Sequence, residues 1–371
     1  AYETEGADRR SLAMPAGHNA LVEAVCAANP NTVVVLYNGG PVELPWAERP
    51  KAILEGYLGG EAVGCATVDV LLGRVSPSGH LPETFPLRLQ DTPGYLYYPG
   101  EDGQVDYREG VFIGYRYYTS REQPVRYPFG WGLSYTTFTF ANLRLEQNAI
   151  CEGESLTVTV DVTNTGDRAG KALVQLYVEP PHGEVVRPVR ELKAFEKIEL
   201  QQGETKTISL TLSPRAFAHW CRAAHGWRTQ AGVYRIQIGA NARDILLEQT
   251  IQVQAEPLPP EGGFQLSTSI QRVAATQRGH AFMDCCMMDF VNGMASAGLI
   301  PDEMRSAIDQ LPGGLTFEMM KAMTTRAASA QGMANGADML LEQPVSMLAS
   351  FLPDGIKKIS ALLDQLNGVS I

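Results

Sequence analysis

Hydrophobic and polar positions along this chain change period three times. Over residues 10–90, helix-like and strand-like patterns alternate. Pro15 suits the first turn of a helix whose apolar face holds Leu21, Val22 and Val25 and which Asn29-Pro30 would end. TVVVLYNGG (32–40) is a continuous apolar run closed by glycines, the pattern of a strand buried on both faces, and AILEGYLGG (52–60) repeats it. EAVGCATVDVLLG (61–73) reads as a helix ended by Gly73. Strands alternating with helices predict a parallel α/β sheet. Two strands are too few to complete one, so the rest of the domain is expected before residue 1.

Residues 91–139 lose this periodicity. Nine of the 14 tyrosines lie in 91–140 among repeated Pro and Gly, which reads as a long structured connection wrapped over its neighbours. From 140 to 255 the pattern is all-β: LTVTVDVTNTG (156–166) alternates strictly, and ALVQLYVE, ELKAFEKIEL, TKTISLTL and GVYRIQIG follow at the spacing of a two-sheet sandwich. EPLPPEGG (256–263) is a linker. Beyond it, 264–371 is helical and rich in Met, with 11 of the 12 methionines between 283 and 347. Pro301-Asp302-Glu303 marks one helix start, and Pro353-Asp354-Gly355 separates the last two helices. Met of this kind packs as core, the alternative being a flexible recognition surface. The expected fold class is multidomain: α/β with a mostly parallel, incomplete sheet, then an all-β sandwich, then an α-helical tail.

Composition changes this picture little: 44% hydrophobic and 19% charged residues describe an ordinary globular chain. The net charge of −11 argues against nucleic acid and anionic membrane surfaces, because nothing here neutralises phosphates. No apolar run is long enough to span a membrane. The cysteines at 26, 65, 151, 221, 285 and 286 form no CxxC pair and read as reduced thiols, favouring a cytoplasmic over a secreted location. Cys285 and Cys286 with His280 and Asp284 lack zinc spacing and read as a buried Met/Cys helix face. No GxGxxG, P-loop or nucleophile-elbow pattern is present, and neither cofactor nor metal is implied.

The chemistry concentrates in YETEGADRR (2–10). A mobile carboxylic acid in a polar loop can protonate a leaving oxygen and then deprotonate water. Alone, such an acidic pair is more often solvated surface. ETEGADRRSLAMP resembles the ExEGxDR segment of glycoside hydrolase family 3, the β-glucosidases and related exo-glycosidases. NTVVVLYNGGPVELPW (31–46), the stretch from Ala52 through VSPSGHLPETFP to Pro86, and YREGVFIGYRYYTSREQPVRYPFGWGLSYTTF (107–138) resemble further motifs of that family in the same order. The sandwich resembles its fibronectin type III-like domain. About two thirds of the chain is covered.

The resemblance implies that 1–90 is the C-terminal part of the family's α/β sandwich domain, and that 140–255 is its fibronectin type III-like domain. It also implies a retaining exo-acting β-glycosidase in which Glu5 is the acid/base, with Glu3 as the rival two residues away. Asp8 and Arg9 fall on the DR of the motif and read as loop anchors. Ala7 stands where the family often has an aromatic, Leu58-Gly59-Gly60-Glu61 replaces PGQE, and Trp131 replaces a His or Tyr. The family's nucleophile is an Asp on a (β/α)8 barrel, and no such motif occurs here. The implied partners are therefore a β-linked oligosaccharide or glycoside and a barrel lying upstream or on another chain. A fragment or processed chain is expected, since the sequence opens on the motif without an initiator Met. Homo-oligomerisation and the identity of the sugar stay open. The alternative is a non-catalytic carbohydrate-binding or scaffolding module, with the Met-rich tail as an interaction module fused to either.

Overall fold

The computed structural model describes residues 4, 9–183, 185–222, 224–256, 263–296, 298, 302–311, 315–322, 341–350 and 354–367. Two compact units are present: residues 1–218 with 231–254, and residues 219–230 with 255–371.

The first unit opens with α1 (Ala16–Ala28) and two parallel strands, β1 (Val33–Leu36) and β2 (Ala52–Glu55), in register from Val33 opposite Ala52 to Leu36 opposite Glu55. Helix α2 (Val63–Leu71) follows. Pro15 caps α1 from just outside it rather than from its first turn. A small core gathers beneath the strands from Leu36, Val42, Leu44, Trp46, Ala47 and Phe85, with the Trp46 indole donating to Asn19 at 2.8 Å. Burial on both faces of these strands, expected from their apolar runs, is not observed. Val33 is 46% exposed, and β2 has no fully buried residue. Leu21, Val25, Val68, Leu71 and Leu72 on the two helices are exposed as well. A two-stranded sheet has too little surface of its own to cover apolar side chains on every side.

The connection carries a short pair, β3 (Phe85–Pro86) with β4 (Val125–Tyr127), and helix α3 (Tyr115–Ser120). It docks on the sandwich that follows, where β10 (Thr205–Leu212), β7 (Leu156–Asn164) and β5 (Phe138–Leu145) form one antiparallel sheet. The second sheet runs β6 (Ala149–Cys151), β14 (Ile245–Gln254), β13 (Gly232–Gly239), β8 (Gly170–Glu179), β9 (Glu191–Leu200), with β6 parallel to β14 and the rest antiparallel. Strict alternation puts Leu156, Val158, Val160 and Val162 of β7 inside, against Val174, Leu176 and Ile236 of the facing sheet. The outer face of β8 is buried too, because the connection covers it. Gln175 donates to the carbonyls of Gly130 (3.0 Å) and Ala240 (2.9 Å), and Tyr177 donates to Gln175 (2.8 Å). Tyr115 stacks on Phe129 with centroids 4.5 Å apart, and Arg116 pairs with Glu191 at 2.9 Å. Gly130 has φ +80, and a Cβ there would fall on the Gln175 carbonyl. Tyrosines 115, 118 and 127 are thus packing residues, whereas Tyr98 and Tyr107 face solvent.

In the second unit, β11 (Ala218–Cys221, its first residue in the first unit) and β12 (Gly226–Thr229) form a hairpin with the rings of Trp220 and Trp227 edge to face. The helical part is built from two similar halves. Short α4 (Ile270–Ala274) leads into long α5 (Gln277–Ser296), and short α7 (Ser346–Ala349) leads into long α8 (Gly355–Leu366), with α6 (Asp302–Asp309) between them. A bridge joins Ser269 to Pro344, Ile270 N donates to Gln343 O, and Val345 N donates to Thr268 O. Buried residues correspond across the halves: Ile270 with Val345, Val273 with Leu348, Met283 with Ile359, Met287 with Leu363. So do Gly279 and Gly355, where a Cβ would strike the carbonyl oxygen of Val273 or Ala349 at the end of the preceding short helix. Met283, Met287 and Cys286 lie in this core, the packing read from the sequence. His280 pairs instead with Asp284 (3.3 Å) and Glu318 (3.6 Å), and among the described residues no group of metal-binding side chains assembles.

Candidate active site

Parallel strands end together, and the crevice beyond their carboxyl ends is where α/β sheets collect functional groups. Here β1 runs out into Tyr37-Asn38-Gly39-Gly40 and β2 into Gly56-Tyr57, tied by Gly56 N donating to Leu36 O at 2.9 Å. Asn38 is buried; its amide donates to Gly40 O at 2.7 Å, while its Oδ1 meets no donor among the described residues. Tyr57 holds a left-handed backbone (φ 44), with its N–H donating to Glu55 Oε1 at 2.9 Å. Such a conformation is unfavourable for a bulky side chain and persists only where surroundings enforce it.

The Tyr57 phenol lies within the influence of Glu83, although its buried oxygen makes no hydrogen bond among the described residues. Burial, then the charges of Glu83 and Glu55, push its ionisation far above the ordinary tyrosine range. Burial raises the Glu83 carboxyl as well, against the opposing pull of the Tyr57 hydroxyl and the Arg9 charge. Arg9 closes the cluster. A Cβ placed on Gly40 would lie 3.3 Å from Arg9 Nη2 and 4.0 Å from Glu83 Oε1, so guanidinium and carboxylate flank the same glycine.

Of the residues singled out from the sequence, Glu5, Glu3, Ala7 and Asp8 lie outside the described residues. Arg9 is at the sheet end, beside Gly40. Leu58 is 83% exposed, and Trp131 packs its ring against Tyr127 at 6.0 Å. Asn38, Tyr57 and Glu83 were not singled out. Their one sequence signal is position: two fall just beyond apolar runs, and Glu83 interrupts LPETFP. Among the described residues Cys26, Cys65, Cys151, Cys221 and Cys286 form no disulfide, Cys26 and Cys286 being buried. No described helix is long and apolar enough to cross a membrane.

A partial parallel sheet with a polar cluster at its carboxyl end, joined to a two-sheet sandwich, defines the class. Residues 1–135 match the glycosyl hydrolase family 3 C-terminal domain, and residues 172–242 match the fibronectin type III-like domain. The chain carries the C-terminal domain of glycoside hydrolase family 3 followed by its fibronectin type III-like domain. It is 39% identical over 335 residues to thermostable beta-glucosidase B of Acetivibrio thermocellus, covering 88% of this chain and 44% of that protein. It is 48% identical over 246 residues to an exo-alpha-(1->6)-L-arabinopyranosidase of Bifidobacterium longum, covering 66% and 32%. The crystal structure of the GH3 beta-glucosidase of Bifidobacterium adolescentis superimposes with a TM-score of 0.71 at 40% identity, over 75% of this chain and 41% of that one. The chain thus spans less than half the length of these relatives. An alignment covering 88% of this chain also cannot fit within 1–255, so at least part of the helical region is shared with the Acetivibrio protein.

Proposed function

We propose that this chain is the acid/base-bearing portion of a retaining, exo-acting β-glycosidase of the β-glucosidase type. It would remove terminal non-reducing β-linked sugars, with Glu5 as acid/base and Glu3 as the alternative. The observation that carries this reading is Arg9: the arginine of the EGADR motif reaches the carboxyl end of the parallel sheet, where it flanks Gly40 near Glu83. The names of the relatives favour glucosides, and the arabinopyranosidase among them leaves the sugar open.

In this mechanism an Asp of a (β/α)8 barrel, upstream or on another chain, attacks the anomeric carbon while Glu5 protonates the departing glycosidic oxygen. Glu5, now ionised, takes a proton from the water that hydrolyses the glycosyl-enzyme, and the configuration is retained. The exposed apolar residues of α1, α2 and β1 support a partner of this kind, since a completed sheet and its neighbours would cover them.

The test is Glu5→Gln in the protein that contains the barrel. Turnover of unactivated glycosides should fall about 10²-fold or more, and of activated aryl glycosides much less. Azide should restore the aryl glycoside reaction and give a β-glycosyl azide. Equal loss on both substrates would sink the acid/base role of Glu5, and the same pattern in Glu3→Gln alone would transfer it. Hydrolysis by the 371-residue chain by itself would overturn the division of labour.

A further inference from the structure

The connection opens onto a cavity of about 730 Å³, inside the range of about 300–1,000 Å³ that small-molecule sites occupy. Asp91, Tyr95 and Tyr97 line it from the segment after β3, Arg108 from the loop that follows, and Tyr117 and Arg121 from α3 and its end. We propose that this cavity binds a neutral oligosaccharide, one sugar ring lying against Tyr95 while Arg121 and Asp91 read its hydroxyls. The proposal goes beyond the hydrolytic reading and uses none of the residues assigned to that reaction.

Charge decides between a neutral ligand and an anion. Three arginines line the cavity, a set that would favour carboxylate or phosphate if it stood alone. It does not. Arg88 Nε lies 2.9 Å from the buried carboxylate of Asp91, and Arg108 Nη2 lies 3.0 Å from Asp106. Arg121 has no carboxylate partner among the described residues, but Glu109 lines the same cavity. Three guanidiniums thus meet three carboxylates, and no positive charge is left over to hold an anion.

What the cavity offers instead is flat apolar surface beside fixed donors and acceptors. The C–H face of a pyranose packs on an aromatic ring, and its hydroxyls both give and take hydrogen bonds. Tyr95 is 40% exposed and has neither a ring nor a cation partner among the described residues. Guanidiniums already lie over Tyr97 and Tyr117, Arg108 at 5.4 Å and Arg121 at 5.7 Å from the ring centroids. Arg121 Nη1 donates to the Tyr117 hydroxyl at 2.8 Å, which orients the guanidinium and leaves its other N–H groups for a ligand. Asp91 accepts from Arg88 through Oδ1, and its Oδ2 remains to accept from a sugar hydroxyl.

Both walls are held in place by the fold. Ser120 Oγ accepts from Val189 N at 3.0 Å, and the Tyr115 hydroxyl accepts from Leu192 N at 2.8 Å, fixing α3 to the start of β9. On the other side, Leu89 N donates to Glu43 Oε1 at 3.0 Å, which ties the turn carrying Asp91 to the loop beyond β1. Walls fixed in this way spare a ligand the cost of ordering them. A cluster that served packing alone would hide its rings as Tyr118 is hidden, whereas Tyr95 and the neighbouring Leu96 stand in solvent.

The experiment titrates the 371-residue chain, followed by NMR, with cellotriose, laminaritriose and xylotriose as neutral probes and inorganic phosphate as the anionic one. At least one trisaccharide should bind saturably, and phosphate should neither bind nor compete. Tyr95→Ala should weaken that binding about tenfold. Arg121→Gln should weaken it about fivefold, through lost hydrogen bonds to hydroxyls. Both side chains are exposed, so both variants should melt as the wild type does; if one fails to fold, the other carries the test. Glu5→Gln, titrated alongside, should bind the sugar as the wild type does. Failure of all three sugars to bind, or binding unchanged in the folded cavity variants, would overturn the proposal. So would loss of binding in Glu5→Gln alone, which would move the sugar to the glutamate loop, and so would displacement of the sugar by phosphate.

Discussion

Strands β1 and β7 carry the same four apolar residues, three valines and a leucine, with opposite fates. In β7 every second residue is sealed inside the sandwich, and Leu156, Val158, Val160 and Val162 expose no more than 1% of their surface. In β1 the run of three valines leaves Val33 46% exposed, in a sheet of two strands. The sandwich closes its core with its own two sheets, and the outer residues of β7 and β10 are mostly threonines that solvent can satisfy. The α/β part offers apolar side chains in directions where nothing among the described residues meets them. A mismatch between hydrophobic pattern and burial thus separates a finished core from a surface awaiting a neighbour, and the polar cluster of the candidate site lies on the unfinished side.

Three perturbations would break or sharpen that contrast. The largest effect is expected from Leu176→Ala, at a fully buried position of β8. It should cost about 3 kcal/mol in denaturant unfolding of the sandwich. Leu21→Ser, at a position 62% exposed, should stay within about 0.5 kcal/mol in the same chain. If Leu21→Ser proves as costly as Leu176→Ala, the α/β part is not open in the way described. Next is Gly130→Ala, which drives a Cβ into Gln175 and breaks the contact that fastens the connection to β8. About 1–3 kcal/mol should be lost, and limited proteolysis should then cut within 91–135 before it cuts the sandwich.

The smallest effect concerns pH. Hydrogen bonds from Thr207, Arg144 and Asn142 hold the Asp161 carboxyl at about 2. A carboxylate whose ionisation is depressed on folding stabilises the fold above its unfolded value, 3.8, and that contribution disappears as pH falls through about 2. Between about pH 5 and pH 2 the melting temperature of the wild type should therefore fall more steeply than that of Asp161→Asn. Parallel curves would remove Asp161 from the acid response.

The sandwich was legible because a period of two, once one face is buried, decides both strand and register. The packing role of Tyr115 was legible in outline, from tyrosines crowded into a connection with no core of its own. The burial of β1 was not: an apolar run states what a strand requires, not whether the chain can provide it. Among site residues, Arg9 could be found through its motif. Tyr57 and Glu83 could not, because each is a single polar residue in an ordinary segment: the parallel register of β1 and β2 sets Tyr57 at the sheet end, while Glu83 arrives there from the separate segment before β3. The paired halves of the helical part escaped notice for a related reason. Ile270 and Val345, or Met283 and Ile359, share burial rather than identity, and the glycines at 279 and 355 declare their common role only through the carbonyl each one touches.

Those two halves have a consequence for how the helical part is attached. Phe264 and Asn367, near its two ends, exchange hydrogen bonds of 2.7 and 2.8 Å between the backbone of one and the side-chain amide of the other. A stretch of polypeptide whose beginning and end meet needs only one point of attachment. New ends could be cut between the halves and the old ones spliced together, and the helix–helix contacts among the described residues would survive the rearrangement.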